Sequence, residues 1–184
     1  RISANGIQLH YEAHGPIDAP TVVMSHSLAA TNAMWDPQMN VLGDYRVVRY
    51  DMRGHGYSDA PDMDYSLEML GDDLLGLMDA LEIDRAHYIG LSMGGMIGQT
   101  AALKDQYRFL SLSLCDTMSR VPPEMKGAWD DRIKLARTEG MGALVDGTME
   151  RWFSAEYMEK EPEECDKVRK MIHNTKVSGF CGCC

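Results

Sequence analysis

The chain has 184 residues and a formal net charge of −10, with 45% apolar and 25% charged residues. This length suits one domain with a sizeable core, and the composition is ordinary for a soluble globular protein. Binding to nucleic acid or to an anionic membrane needs a basic face, and no Lys/Arg cluster occurs. No apolar run approaches the roughly 20 residues of a membrane span, and no leader pattern precedes residue 20. We expect a soluble, cytoplasmic protein whose oligomeric state the sequence leaves open.

The alternation of strand and helix patterns fills the first two thirds of the chain. Asn5-Gly6, between alternating apolar residues, predicts a hairpin over residues 1–15. The patterns then predict strands at 21–24, 45–51, 86–91 and 109–115, with helices at 31–42, at 67–81 after the N-cap Ser66, and at 93–103. This order implies a largely parallel sheet with helices on both faces.

Only helical patterns follow Asp116. They predict a helix from Pro122-Pro123-Glu124, a second over 141–153 and a third over 165–172. We interpret residues 1–117 as an α/β core and residues 118–184 as a helical cap over the carboxyl edge of the sheet.

The five cysteines do not indicate a disulfide framework. Their number is odd and three of them crowd together as Cys181, Cys183 and Cys184. This cluster lacks C-x-x-C spacing and a second ligand pair, so we expect reduced thiols and no metal site.

Ser92 is the candidate catalytic nucleophile, because it lies in a G-x-S-x-G sequence between a predicted strand and a predicted helix. A serine used as a nucleophile is exposed on such a tight turn, and Gly90 and Gly94 are needed because neighbouring backbones crowd there. Acyl transfer also needs donors for the oxyanion. We predict the backbone N–H groups of Met93 and of Leu28, the latter in the loop after the strand at 21–24.

Four segments carry a resemblance to a known family: SHSLAATNAMWDPQ, YDMRGHGYSDAP, GLSMGGMIGQ and GFCGCC. In this order and spacing they resemble the α/β-hydrolase family, and most closely the 3-oxoadipate enol-lactonases of aromatic catabolism. The similarity extends over essentially the whole chain, although Ala29 and Ala30 stand where this family often has glycine. The resemblance implies an α/β-hydrolase fold, a serine nucleophile and no metal or organic cofactor.

The same resemblance implies a catalytic acid and a histidine that follow the nucleophile along the chain. Because strand patterns stop near Cys115, we expect these two residues and the remaining strands beyond Cys184, and we expect the 184 residues alone to be inactive. Whether a decarboxylase domain follows is open. A triad of Ser92, Asp116 and His173 is the alternative within the chain, although His173 falls in a cap helix.

Four further polar residues lie in predicted loops near the nucleophile. We interpret them as residues that hold these loops by hydrogen bonds rather than as catalysts: His26, Asp51, Arg53 and His55.

Trp129 and Trp152 are predicted to line a substrate pocket, because they fall on cap helices together with Met125, Leu144 and Met149. A lactone with a free carboxylate also needs a cation. The cap offers four, which the sequence does not rank: Arg132, Lys134, Arg137 and Arg151.

The predicted function is hydrolysis of a small carboxylated lactone, 3-oxoadipate enol-lactone to 3-oxoadipate, through an acyl-enzyme on Ser92. The same nucleophile would serve a general carboxylesterase or a cofactor-free haloperoxidase-like hydrolase. A non-catalytic ligand-binding protein of the same fold is the alternative from another class. In each case the partner is a small molecule.

Overall fold

A short antiparallel hairpin opens the chain in the computed structural model, which describes residues 1–184 without a gap. Strand β1 (Ile2–Ala4) pairs with β2 (Ile7–Leu9). Asn5 and Gly6 join them with φ angles of 45° and 78°, and positive φ at both positions is what a two-residue hairpin turn requires. The predicted hairpin is confirmed for residues 2–9, whereas residues 11–14 of the predicted span form a strand of the central sheet.

Five strands form the central sheet in the order β3-β5-β4-β6-β7. They are β3 (Tyr11–His14), β4 (Thr21–Ser25), β5 (Arg46–Tyr50), β6 (Ala86–Leu91) and β7 (Phe109–Cys115). Only β3 is antiparallel, so the predicted largely parallel sheet is confirmed. The loops that follow β4, β5, β6 and β7 therefore meet at one edge of the sheet, where α/β proteins bind their ligands.

Strand β7 lies at one end of this sheet, and most of its residues are exposed.

Helix α2 (Met93–Lys104) packs against β6 and β7 of the sheet, and α1 (Leu67–Ala80) packs against α2 and against β1 of the hairpin. The Ser66 Oγ accepts the N–H of Met69 at 3.1 Å, which confirms the predicted N-cap. The apolar stripe of α1 is buried at Leu70, Leu74, Leu77 and Met78.

The predicted α-helix at 31–42 is wrong in type, because residues Asn32–Val41 form a 3-10 helix. Pro37 lies inside this segment, where an α-helix would lose a hydrogen bond and the proline ring would clash with the preceding turn. Of its ten residues only Asn32 and Trp35 are buried.

Five helices follow β7: α3 (Lys126–Glu139), α4 (Val145–Trp152), α5 (Ala155–Lys160), α6 (Pro162–Asn174) and α7 (Val177–Cys183). The predicted helix at 141–153 is divided into a short 3-10 turn at Met141–Leu144 and α4. Helices α5 and α7 were not predicted. These elements enclose a second apolar cluster that includes Met141, Leu144, Met149, Ile172 and Phe180.

Helix α7 joins the helical region to the loop after β5. The Tyr65 N–H donates to Gly182 O at 2.6 Å, and the Lys176 Nζ donates to Ser58 O at 2.8 Å. A Cβ on Gly179 would lie 2.5 Å from the Cα of Gly54, so the two backbones touch. The division at residue 117 stays a prediction.

All five cysteines are free thiols in the structure. No helix of the structure combines the length and the apolar character that crossing a bilayer requires.

Replacement of Gly179 by alanine tests the contact between α7 and the loop. The new methyl would collide with the Gly54 backbone, so we expect the free energy of unfolding to fall by about 1–3 kcal/mol. Urea unfolding measures this change. Gly127→Ala on α3 is the matched control, because nothing lies within 4 Å of its Cβ position. An equal loss for both variants would contradict the proposed collision.

Candidate active site

Ser92 stands on a strained turn between β6 and α2. Its φ and ψ angles are 53° and −114°, a conformation that side-chain-bearing residues rarely adopt and that is typical of functional sites. The Ser92 N–H donates to Cys115 O at 2.9 Å, and the Thr117 Oγ1 donates to Ser92 O at 2.6 Å. Cys115 at the end of β7 and Thr117, two residues later, therefore hold the turn in place.

Three glycines make this turn possible. A Cβ on Gly90 would lie 2.5 Å from the carbonyl carbon of Gly94, and a Cβ on Gly95 would lie 2.6 Å from Thr117 Cγ2. A Cβ on Gly94 would collide with Ser25 O at the end of β4. The elbow thus rests directly on the loop that contains Leu28.

Two backbone N–H groups beside Ser92 are free. Met93 is the first residue of α2, so its N–H has no acceptor in a preceding turn. The Leu28 N–H makes no hydrogen bond, and both residues line a cavity together with Ser92. Free donors at this place are what the predicted oxyanion site needs.

His26 and His55 are both completely buried and each is hydrogen-bonded through both ring nitrogens. Burial lowers the pKa of His26 to about 4 and that of His55 to about 3, where the neighbouring His26 adds to the effect. Both rings are therefore neutral at pH 7. The prediction that they hold loops is confirmed.

The Asp51 and Arg53 side chains also hold loops, as predicted. The Asp51 carboxylate accepts the N–H groups of Asn32 at 2.8 Å and of Tyr57 at 3.0 Å. The Arg53 guanidinium binds both oxygens of the buried Asp73 carboxylate, at 2.7 and 2.6 Å. Neither side chain lines the cavities at Ser92.

Two adjoining cavities open onto Ser92, of about 90 Å³ and about 550 Å³. Leu28 and Trp129 line both. The smaller is completed by Ser27, Arg132, Leu144, Thr148, Arg151, Trp152 and Phe180. The larger is mostly apolar and includes Met93, Met96, Met125 and the strand-end Asp116.

Trp129 and Trp152 thus lie at the small cavity, where Trp152 is 39% exposed. Leu144 and Met125 each line one of the cavities. Met149 lines neither, because it is fully buried inside the apolar cluster of the cap.

The small cavity carries two arginines, and neither has a carboxylate within 4.0 Å. The Arg132 guanidinium lies 4.5 Å from the ring centroid of Trp129, and the Arg151 Nη2 donates to Thr148 Oγ1 at 2.9 Å. Burial and the charge of Arg132 lower the pKa of Arg151, against the opposing charge of Glu150. Lys134 and Arg137, the other candidate cations, do not line the cavity.

His173 does not complete a triad with Ser92 and Asp116. It is exposed on α6, lies beside Gly142 and bonds to the Asn174 side chain. No histidine lines either cavity at Ser92. Asp116 does line the larger one, with a φ of 39°.

Sequence reasoning missed Phe180 and Thr148 as cavity residues. Phe180 reaches the small cavity only because α7 folds back onto the core, and nothing in its local pattern indicates this. Thr148 could have been suspected from its i, i+3 spacing to Arg151 on one helix.

A sequence profile described as the alpha/beta hydrolase fold matches residues 20–142. The chain belongs to the α/β-hydrolase family. Among curated relatives of this chain, 3-oxoadipate enol-lactonase 1 of Acinetobacter baylyi is 34% identical over 180 residues, which are 97% of this chain and 66% of that protein. A Caulobacter protein named as a carbamate hydrolase, RutD, is 36% identical over 169 residues, 87% of this chain and 63% of its own length.

The α/β-hydrolase fold is also seen in solved relatives. The crystal structure of the enol-lactonase from Burkholderia xenovorans LB400 superposes with a TM-score of 0.92 and 44% identity, over 97% of this chain and 69% of that one. The chain thus spans about two thirds of the length of these relatives.

The buried histidines predict that acid destabilises the folded chain. The unfolded chain binds protons at His26 and His55 below pH 6.5, but the folded chain does so only near pH 4 and 3. The unfolded state therefore holds more protons in this window, and the free energy of unfolding falls as pH drops from 6.5 toward 4, by about 1.4 kcal/mol per pH unit and histidine.

Urea unfolding between pH 7 and 4.5 measures this slope. His55→Gln should flatten it, whereas substitution of the exposed His173 by glutamine should leave it unchanged. A slope that His55→Gln leaves intact would show that other groups cause the acid sensitivity.

Proposed function

We propose that this α/β-hydrolase cleaves the carbonyl–oxygen bond of a small lactone or ester that carries a free carboxylate, with 3-oxoadipate enol-lactone as the specific substrate. One observation carries the proposal: Ser92 and the unpaired cations Arg132 and Arg151 share one small cavity. The similarity to enol-lactonases supports the same substrate class.

Ser92 is the proposed nucleophile. Its Oγ attacks the lactone carbonyl while its proton passes to a base, and the N–H groups of Leu28 and Met93 bind the oxyanion that forms. Collapse of this tetrahedral intermediate breaks the ring C–O bond. The leaving group departs as an enolate, which is protonated to the keto form, and water then hydrolyses the acyl-enzyme.

Arg132 and Arg151 are the proposed carboxylate-binding residues, assisted by the apolar faces of Trp129 and Trp152. Guanidinium groups bind carboxylates through charge-assisted hydrogen bonds, which are stronger where water is partly excluded. Burial lowers the pKa of Arg151, and the repulsion between its guanidinium group and that of Arg132 lowers it further. A bound carboxylate would relieve this repulsion, so the cavity favours an anionic substrate over a neutral one.

The base is the one component that these residues do not supply. No histidine lines the cavities, and the two histidines nearest in sequence to Leu28 are held in loop hydrogen bonds. We therefore propose that the 184 residues alone have little hydrolase activity.

Ser92→Ala in the complete gene product tests the nucleophile. We expect kcat to fall by a factor on the order of 10⁴–10⁶ with folding retained, because loss of a serine nucleophile leaves only binding and oxyanion stabilisation. Turnover of the enol-lactone, measured by loss of its absorbance, gives the rate. A variant within tenfold of wild type would overturn the assignment.

The 184-residue chain is measured in the same assay. Its activity should be close to that of the Ser92→Ala variant of the complete gene product. If the complete wild-type protein binds the lactone but does not turn it over, the non-catalytic alternative gains support. Neutral esters and carbamates in the same assay separate the wider substrate classes.

Arg132→Gln and Arg151→Gln test the carboxylate site. Each should raise KM for the carboxylated lactone about ten- to hundredfold, since a charge-assisted hydrogen bond contributes roughly 1.5–3 kcal/mol. KM for a neutral ester such as p-nitrophenyl acetate should change little. Lys134→Gln, on the same helix but outside the cavity, is the control. Equal effects on both substrates would refute a carboxylate-binding role.

A further inference from the structure

Two loops behind Ser92 are joined by a reciprocal arrangement of buried histidines. We define the oxyanion loop as residues 25–30 and the glycine-rich loop as residues 51–58. His26 belongs to the oxyanion loop, and its Nε2 accepts the N–H of Met52 in the glycine-rich loop at 2.9 Å. His55 belongs to the glycine-rich loop, and its Nε2 accepts the N–H of Ala29 in the oxyanion loop at 3.1 Å.

The other nitrogen of each ring bonds within its own loop. The His26 Nδ1 is 2.8 Å from Ser27 O, and the His55 Nδ1 is 3.1 Å from Arg53 O. A backbone N–H can only donate and a carbonyl can only accept, so each ring is the neutral tautomer with its proton on Nδ1. The rings meet edge to face with centroids 5.2 Å apart.

We infer that His26 and His55 are positioning residues for the Leu28 N–H, an inference that rests on the proposed function. Ser27 O and the Leu28 N–H belong to one peptide unit, which is planar and trans, so they point in opposite directions. When the His26 Nδ1–H holds Ser27 O on the buried side, the Leu28 N–H is directed away from it, toward the cavity that Leu28 shares with Ser92.

His55 holds the next peptide unit. Ala29 has a φ of 62°, in the left-handed region that alanine adopts only at a cost, and its N–H donates to the His55 Nε2. Each of the peptide units on the two sides of the Leu28 Cα therefore bonds to a buried ring, and Ser27 O also accepts the Ala30 N–H at 3.1 Å. An oxyanion donor is effective when its direction is set before the reaction, and this arrangement sets it.

Asparagine and glutamine can each replace one of the two hydrogen-bonding ring nitrogens of histidine, so the two substitutions test the two nitrogens separately. An asparagine amide nitrogen can take the place of Nδ1, whereas a glutamine amide oxygen can take the place of Nε2. At position 26 the Nδ1 bond orients Leu28, so His26→Asn keeps the orienting contact and His26→Gln loses it. At position 55 the orienting contact is made by Nε2, so the order is reversed.

The experiment measures kcat, KM and inhibition by an alkyl boronic acid for these four variants in the complete gene product, at a pH where all are folded. His26→Gln and His55→Asn should lower kcat about ten- to hundredfold, with KM within about threefold, and should weaken boronate inhibition by a similar factor, as expected for a misdirected oxyanion donor. His26→Asn and His55→Gln should lose less than about fivefold in kcat.

A merely structural role predicts a different pattern. If the rings only tether the loops, glutamine would be the better substitute at both positions, or kcat would follow the measured free energies of unfolding. Either result would overturn the inference. If Ser92→Ala keeps the wild-type kcat, the proposed function falls and the positioning role with it. If Ser92→Ala is inactive but asparagine is not the better substitute at position 26 and glutamine not the better one at position 55, only the positioning role falls.

Discussion

The backbone contact between the nucleophile elbow and the end of β4 determines the rest of the site. No side chain can be placed at Gly94 without a collision with Ser25 O, and none at Gly90 without a collision with Gly94. These glycines let α2 begin directly against the oxyanion loop. Ser92 and Leu28 consequently face the same cavity although they lie far apart along the chain. Any Cβ at these points would separate nucleophile from donor.

Buried polar side chains keep the loops around this contact from moving. Asp51 accepts two backbone N–H groups, Arg53 and Asp73 form a buried bidentate pair, and His26 and His55 use both ring nitrogens. Burial of such groups is costly unless every hydrogen bond is made, and here they bond to backbone groups that would otherwise be unpaired. These bonds fix the geometry of the loops, and the predicted loss of stability in acid follows from the same burial.

Local patterns were sufficient for the elements that their own sequence determines. The Asn5-Gly6 turn, the Ser66 cap, β6 and the elbow at Ser92 each have a recognisable pattern in consecutive residues, and all were predicted. Helix α7 was not, because its glycines matter through contact with Gly54, far away in the chain. The place of Phe180 at the cavity follows from this long-range contact. The segment at 32–41 was misjudged because apolar spacing was weighed above Pro37.

The cations of the cavity show why net charge does not reveal a ligand. A charge of −10 describes the whole chain, but the small cavity at Ser92 carries two arginines and no acidic residue. The sequence did not show which of the four cap cations reaches the cavity, because this depends on how α3 packs against the other cap helices. Once α3 and α4 are packed, Arg132 and Arg151 converge on the cavity and Lys134 and Arg137 remain outside. A substrate whose carboxylate lies between the two guanidinium groups would have its lactone carbonyl in the same small cavity as Ser92. Substrate choice and attack by Ser92 would then both depend on the packing of α3 and α4.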